Sequence, residues 1–466
     1  MDVVQRRLGE YARGIASAAI ERATLHEACV RVIDTLGALI GGFDDEPCRV
    51  ARALAADTPV ASGACIFGTN LRAPVDMAAF VNGTTARSAE INDVYHRPGS
   101  KNGHPSDVIM PLHAVAEHAH AGGRDFLAAV VIAYEIYLRF ADQFDGRAFD
   151  ATNFCGIAVA AACARLIGLT TEQTAEAISI AAVPNNALNQ TRTGHLTMWK
   201  SAAAGQAGRA GVFAALLAQK GMRGAHEPFT GKHGWCNNIA RKALVFDVMG
   251  GAGVEFKIHE TIIKPRMACL HTLAPILAAE KTAAQLNGRI SEIERVTVEV
   301  YRASERAVAT LEKAGSSDHH WNPDSRETAD HSIPYCVAAT LRDGSVTTRS
   351  FDAAHLSDPV LRGVLAKTEL VENPAYTTAY EKMPVEYRCR VTAHLRGGGK
   401  VTGETGGGHG DLSEHKSDAG ISAKFRGFVA PALGESRTAQ ILERLWQLET
   451  MRDVGEIAPL FVMDVA

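Results

Sequence analysis

Over roughly the first 245 residues apolar positions recur at helical spacing, interrupted by polar or glycine breaks. Leu36 and Leu39, beside Asp34, lie in an Ala/Leu/Ile-rich stretch that stops at Gly41-Gly42. Pro105–Ala119 opens on proline, which suits a first helical position, and Gly122-Gly123 closes it. Phe126–Phe140 predicts the next helix, with Asp125 as its cap. Cys155–Leu166 follows and ends before Gly168, and Thr170-Thr171-Glu172-Gln173 has the form of a capping box. Ser201–Gln219, rich in Ala and Gly, predicts a helix that packs closely on its neighbours.

The period changes after about residue 280. Ile293, Val296, Val298 and Val300 are interleaved with Arg295, Thr297 and Glu299, as on a half-buried strand. Tyr335–Leu341 and Ser345–Phe351 flank Arg342-Asp343-Gly344, which predicts a hairpin. Val385, Tyr387, Cys389, Val391, Ala393 and Leu395 keep a period of two up to Gly397. Helical spacing returns at Gln440–Met451, with Ile441, Leu442, Leu445 and Leu448 on one face. A mainly helical chain carrying a smaller α+β region over about 280–400 is the expected organisation.

Composition narrows the function class. The 466 residues carry 48 basic against 52 acidic side chains, so no basic face for nucleic acid is expected. The greasiest runs, Phe126–Ile136 and Gly156–Leu166, are too short for a bilayer span, which needs ~20 apolar residues. The nine cysteines are scattered singly with no Cys-x-x-Cys pair, against a disulfide framework, a zinc ribbon or a ferredoxin-type cluster. With no apolar leader evident after Met1, a cytoplasmic protein is expected. The glycine runs 397–403 and 406–410 lack the Gly-x4-Gly-Lys-Ser/Thr pattern. His113, His118 and His120 are expected on one helix, yet no His-Glu-x-x-His occurs, so no metal is expected.

Four polar clusters break the apolar pattern. Ile91–Arg97 and Gly99–Ser106 supply Asp93, His96, Arg97, Lys101 and His104 between two apolar helices. His104 precedes a helix start, where a neutral imidazole suits a general base. It reads equally as a capped, solvated loop. Thr191–Lys200 supplies Arg192, His195 and Lys200. A lysine at a helix N-terminus opposes the dipole, so Lys200 calls for an anionic partner, either a side chain or a substrate carboxylate. Ile263–Thr272 supplies Lys264, Arg266, Cys269 and His271; Arg326–Tyr335 supplies Asp330, His331 and Tyr335 ahead of the expected strand. Separated lysines and arginines suit a substrate with several carboxylates, and histidine with Asp suits proton transfer at a carbon α to one.

These residues resemble the MmgE/PrpD family. The similarity extends from VIDTLGALIGG to the closing helices, through NDVYH…GHPSD, TRTGHLTMWKSAAAGQAGRAGVF, IKPRMACLHT and RETADHSIPY. RETADHSIPY and the stretch around Lys200 are most similar to the 2-methylcitrate dehydratase branch; the cysteine of IKPRMACLHT is more like the decarboxylase and epimerase members. The resemblance implies a large helical domain built from both chain ends (1–275 and 403–466), an α+β lid (276–402) and a site between them. It also implies a homodimer that needs no cofactor. By motif match Asp93, His104, Lys200 and Lys264 fall on family active-site positions, and His271 and His331 on dehydratase-branch positions. The expected activity is dehydration of a hydroxy-tricarboxylate such as 2-methylcitrate. The alternatives are decarboxylation or epimerisation of a related acid, or non-catalytic binding of a small acid.

In that scheme His104 or Lys264 takes the carbon-bound proton, Asp93 orients the histidine, and Lys200, Arg192 and Arg266 hold carboxylates. His271 or His331 protonates the leaving hydroxyl, and His96, Arg97, Asp150 and Tyr335 complete the expected substrate contacts. One departure stands out: members carry a histidine where this chain reads Phe149-Asp150-Ala151-Thr152.

Overall fold

The computed structural model describes residues 1–144, 148–304 and 319–463. Among the described residues it is mainly helical, with a four-stranded sheet and a two-stranded ribbon, and its contacts divide it into two units. The first comprises residues 1–193, 198–261 and 416–466; the second comprises 194–197 and 262–415. No helix among the described residues is long and apolar enough to cross a membrane.

The first unit begins with α1 (Val3–Gly14), α2 (Arg22–Gly41) and α3 (Glu46–Ala56), then a two-residue ribbon, β1 (Ala64–Cys65) against β2 (Arg72–Ala73). It continues through α4 (Val75–Ser88), α5 (Ile109–His118), α6 (Gly123–Gln143), α7 (Thr152–Leu166), α8 (Thr171–Ala182) and α9 (Trp199–Gln219). α6 and α7 are buried on nearly every face, which their unbroken apolar runs dictate. The capping box of α8 forms as its sequence predicts, with Thr170 accepting from the Gln173 amide.

α9 sets the geometry around the site. A Cβ on Gly205 would lie 2.5 Å from the Phe80 carbonyl of α4, and one on Gly211 would lie 2.6 Å from the Gly156 carbonyl of α7. Only glycine allows these approaches, so the small-residue helix packs as tightly as its composition suggested.

The second unit holds α10 (Leu270–Leu286), α11 (Ile333–Asp343) and α12 (Pro359–Ala366) with a sheet in the order β4-β3-β5-β6. The strands are β3 (Ile293–Val300), β4 (Thr368–Glu372), β5 (Cys389–Leu395) and β6 (Lys400–Thr405). β3 pairs parallel with β4 and antiparallel with β5. The alternating apolar residues of β3 and β5 are the buried ones. The chain then returns to the first unit as α13 (Asp418–Leu433) and α14 (Glu435–Trp446).

Several expectations are corrected. Residues 335–351 form no hairpin: Tyr335–Leu341 belongs to α11, capped at its start by Ser332, which accepts from the Tyr335 amide. Gly344, with φ +86°, ends that helix in the left-handed conformation. A short apolar run followed by glycine fits a capped helix as well as a strand and turn. His331 therefore leads into a helix, not a strand. Asp125 lies in the first turn of α6 with Gly122 at the cap, and its carboxylate accepts from Ser17 Oγ at 2.5 Å. Pro105 heads a 3-10 turn (Pro105–Val108) before α5. The helix expected at 440–451 is α14 followed by a separate turn at Leu448–Thr450. Val385 and Tyr387 precede β5 without joining it. His113 packs edge-on against Phe67 and Phe126, as a core residue.

Candidate active site

In the first unit the loop between α4 and α5 is closed by a bridge between Tyr95 and Gly103. Asp93 is buried within it. One carboxylate oxygen accepts from the Ser106 amide and the other from the Tyr134 hydroxyl, each at 3.1 Å. Asp93 meets His104 through its main chain: the carbonyl of Asp93, not its carboxylate, lies 2.8 Å from His104 Nδ1. A carbonyl only accepts, so neutral His104 carries its hydrogen on Nδ1 and its lone pair on Nε2. That is the tautomer a general base needs.

Nε2 of His104 lies 3.8 Å from Glu90 Oε1. Glu90 follows α4 with φ +52°, a strained conformation for a residue with a side chain. Its carboxylate takes two hydrogen bonds from Arg87, at 2.7 and 3.2 Å. It also pairs with Lys200 Nζ at 3.2 Å, with Lys200 only 3% exposed. Lys200 thus has the anionic partner its place at the start of α9 called for, and the partner is a side chain. Arg87 Nε lies 3.7 Å from Asp107 Oδ1. Burial pushes the Asp107 carboxyl up to about 7 against the pull of Arg87 and Arg192.

Asp150 and Arg192 form the next part. Arg192 Nε donates to Asp150 Oδ2 at 2.9 Å, and Arg192 Nη1 donates to the Lys200 carbonyl at 3.2 Å. Burial alone would raise the Asp150 carboxyl; Arg192 and the Thr152 amide outweigh it and hold it below the usual carboxylate range. Among the described residues, the buried side-chain oxygens Ser106 Oγ, Asp107 Oδ1 and Thr152 Oγ1 have no hydrogen-bond partner. They belong to residues already tied to Asp93, Arg87 and Asp150, so the cluster offers polar groups that a polar ligand can satisfy. His96 is held neutral down to about 4 by burial, whereas Arg97 is solvent-exposed.

The second unit gathers another set. Lys264 is fully buried and donates to the Ala268 carbonyl at 3.0 Å. The Cys269 amide donates to the Asp330 carbonyl, and the Asp330 carboxylate pairs with His331 Nδ1, which brings two of the sequence clusters together. His271 Nδ1 lies 3.0 Å from the Tyr301 hydroxyl. Tyr301 is fully buried, stacks on Tyr380, and has its hydroxyl pushed well above the ordinary tyrosine value by that burial. A buried phenol must place its proton, so Tyr301 donates and neutral His271 carries its hydrogen on Nε2. Two expected substrate contacts are engaged elsewhere. Arg266 makes a two-point pair with Glu280, and the Tyr335 hydroxyl donates to the Ser350 carbonyl at 2.6 Å.

Arg87, Glu90, Asp107 and Tyr301 escaped sequence reasoning. The available signal was Arg87 and Glu90 at a spacing of three, at and just beyond the end of α4 and immediately before the polar loop. Among the described residues no group of three or more His, Cys, Asp or Glu is placed to hold a metal ion.

Residues 6–245 match the MmgE/PrpD N-terminal domain and residues 267–448 the MmgE/PrpD C-terminal domain. The chain belongs to the MmgE/PrpD family. Human cis-aconitate decarboxylase is 24% identical to it, across 92% of this chain and 88% of the relative. The 2-methylcitrate dehydratase of Salmonella typhimurium is 27% identical, across 75% and 74%. The mitochondrial 2-methylcitrate dehydratase of Yarrowia lipolytica is 28% identical, across 76% and 70%.

Asp107 yields a stability prediction. Its carboxyl titrates near 7 in the folded chain against 3.8 for an ordinary aspartate. Its contribution is present below about pH 4 and lost as pH rises through 7. Asp107→Asn removes that loss. In urea unfolding the variant is expected to gain on the parent by about 2–3 kcal/mol more at pH 8 than at pH 5. An equal difference at both pH values would contradict the assignment.

Proposed function

We propose that this MmgE/PrpD protein is a cofactor-independent hydro-lyase. Its expected substrate is a hydroxy-tricarboxylate of the 2-methylcitrate type, converted to a cis-aconitate-type alkene. The supporting observation is that the Asp93 carbonyl lies 2.8 Å from His104 Nδ1, which leaves Nε2 beside the Glu90–Lys200 pair to act as the base; the acid this reading needs is His271 or His331. Dehydration requires both a base and an acid, whereas decarboxylation requires only a proton donor once carbon dioxide has left.

In this reading His104 Nε2 takes the proton from the carbon α to a carboxylate. The electron pair left behind spreads into that carboxylate, where Lys200 and Arg192 stabilise the enediolate-like charge. The pair then forms the carbon–carbon double bond as the carbon–oxygen bond breaks. The hydroxyl leaves as water with a proton from His271. Lys264 is the alternative base, and His331, oriented by Asp330, the alternative acid.

Incubation of the protein with 2-methylcitrate is expected to raise ultraviolet absorbance as the conjugated alkene forms, with water loss confirmed by NMR of the product. A decarboxylase reading is favoured by the human relative's span of this chain. Carbon dioxide release from cis-aconitate would establish it instead. Thermal stabilisation by these acids without turnover would mark a binder.

Arg192 yields a prediction within this scheme. Arg192→Lys keeps a charge but loses the fork that joins Asp150, the Lys200 carbonyl and a ligand carboxylate. KM is expected to rise about 10–100-fold while kcat changes less than about threefold. Steady-state kinetics decide it, and an unchanged KM would remove Arg192 from substrate binding.

A further inference from the structure

Asp34 and Lys424 form a buried ion pair that the scheme above does not use. Asp34 lies on α2 and Lys424 on α13, which comes from the far end of the chain. The two helices meet closely: a Cβ on Gly37 would lie 3.3 Å from the Phe425 ring, and one on Gly41 would lie 2.7 Å from the Phe428 ring. That approach brings Lys424 Nζ to 2.5 Å from Asp34 Oδ1, with side-chain exposures of 14% and 2%. The same ammonium donates to the Ile91 carbonyl at 3.2 Å.

Ile91 is two residues before Asp93, whose carbonyl holds His104 Nδ1. Burial pushes the Asp34 carboxyl up and the Lys424 ammonium down, each countered by the other's charge. A buried pair of this kind adds little net stability over an apolar replacement, so its value lies in what it places. The ammonium's second contact, to the Ile91 carbonyl, points to what that is.

We propose that Lys424, held by Asp34, is a positioning residue that fixes the Ile91–Asp93 segment and through it the orientation of His104. The proposal rests on the reading of His104 as the base for its kinetic consequence but not for its structural one. Lys424→Met removes the ammonium and keeps much of the stem. The variant is expected to lose about 100-fold in kcat with KM within about threefold of the parent.

A second readout needs no substrate. In protein labelled with nitrogen-15 at histidine, the parent is expected to show a slowly exchanging Nδ1–H signal from His104, assigned by its loss in His104→Gln. That signal is expected to broaden or vanish in Lys424→Met, and to be retained in Lys424→Arg, which keeps a donor for Ile91. The double variant Asp34→Leu with Lys424→Met removes both charges and is expected to melt near the parent temperature while staying defective in both readouts. It also serves if Lys424→Met alone does not fold.

A parent-like signal and kcat in folded Lys424→Met would overturn the proposal. So would their recovery in the double variant, since the lysine would then be only a counter-ion for Asp34. If the parent turns over no acid tested, the hydro-lyase reading fails while the nitrogen-15 measurement still decides this one.

Discussion

His104→Gln is expected to lower kcat by about 10²–10⁴-fold, with KM within a few-fold of the parent and little change in melting temperature. Glutamine can still donate to the Asp93 carbonyl from its amide, so the contact that orients residue 104 has a substitute. It has no basic nitrogen to accept a proton from carbon, so the chemical step loses its base. The loss corresponds to about 3–5 kcal/mol in the barrier. His104 is part-buried, with 18% of its side chain exposed, and lies beside the Glu90 carboxylate without carrying the main charge compensation, which Arg87 and Lys200 provide. Folding should therefore survive the substitution. Steady-state kinetics with a parallel thermal melt separate the outcomes. A kcat within threefold of the parent would exclude His104 as the base, and a raised KM at constant kcat would make it a binding group.

The parts of this site that could be read from sequence are those that break a local rule. Lys200 opposes a helix dipole, and His104 stands ahead of a helix in a glycine-broken polar loop. Each departs from its surroundings, and each is found within the buried cluster. Glu90 and Arg87 break no such rule, because charged residues at a helix end are common on surfaces. They become a site only when Gly83 and Gly205 let α4 and α9 meet, with a Cβ on Gly83 falling 3.1 Å from Gly205. The contact from the Asp93 carbonyl to His104 is a main-chain contact and leaves no trace in side-chain identity.

In the fold, the two-residue period of β3 and β5 identified strands because one face is buried. The run at Tyr335–Leu341 was ambiguous because it is buried all round. α13 was missed because Gly420, Gly427 and Pro431 interrupt its pattern, although Ile421, Phe425 and Val429 do form its buried stripe.

Lys200→Met should show the largest combined effect. The ammonium is 3% exposed and compensates Glu90, which keeps Arg87 as its other partner. Breaking a buried pair commonly costs about 3–5 kcal/mol when one charge is left alone. The two hydrogen bonds from Arg87 should limit the loss in urea unfolding to about 1–3 kcal/mol. Turnover should suffer more. Under the proposed mechanism, in which Lys200 stabilises the enediolate-like charge, its loss is expected to lower kcat by about 10²–10³-fold. With less positive charge around Glu90, the carboxylate next to His104 attracts a proton to the imidazole more strongly, so the acid limb of the pH–rate profile should move to higher pH. Glu90→Gln should move that limb the other way, because the imidazolium loses its stabilising neighbour. Opposite shifts would place His104 Nε2, Glu90 and Lys200 in one electrostatic unit. Shifts in the same direction, or none, would mean that the pH dependence belongs to another group and that Lys200 serves only to bind.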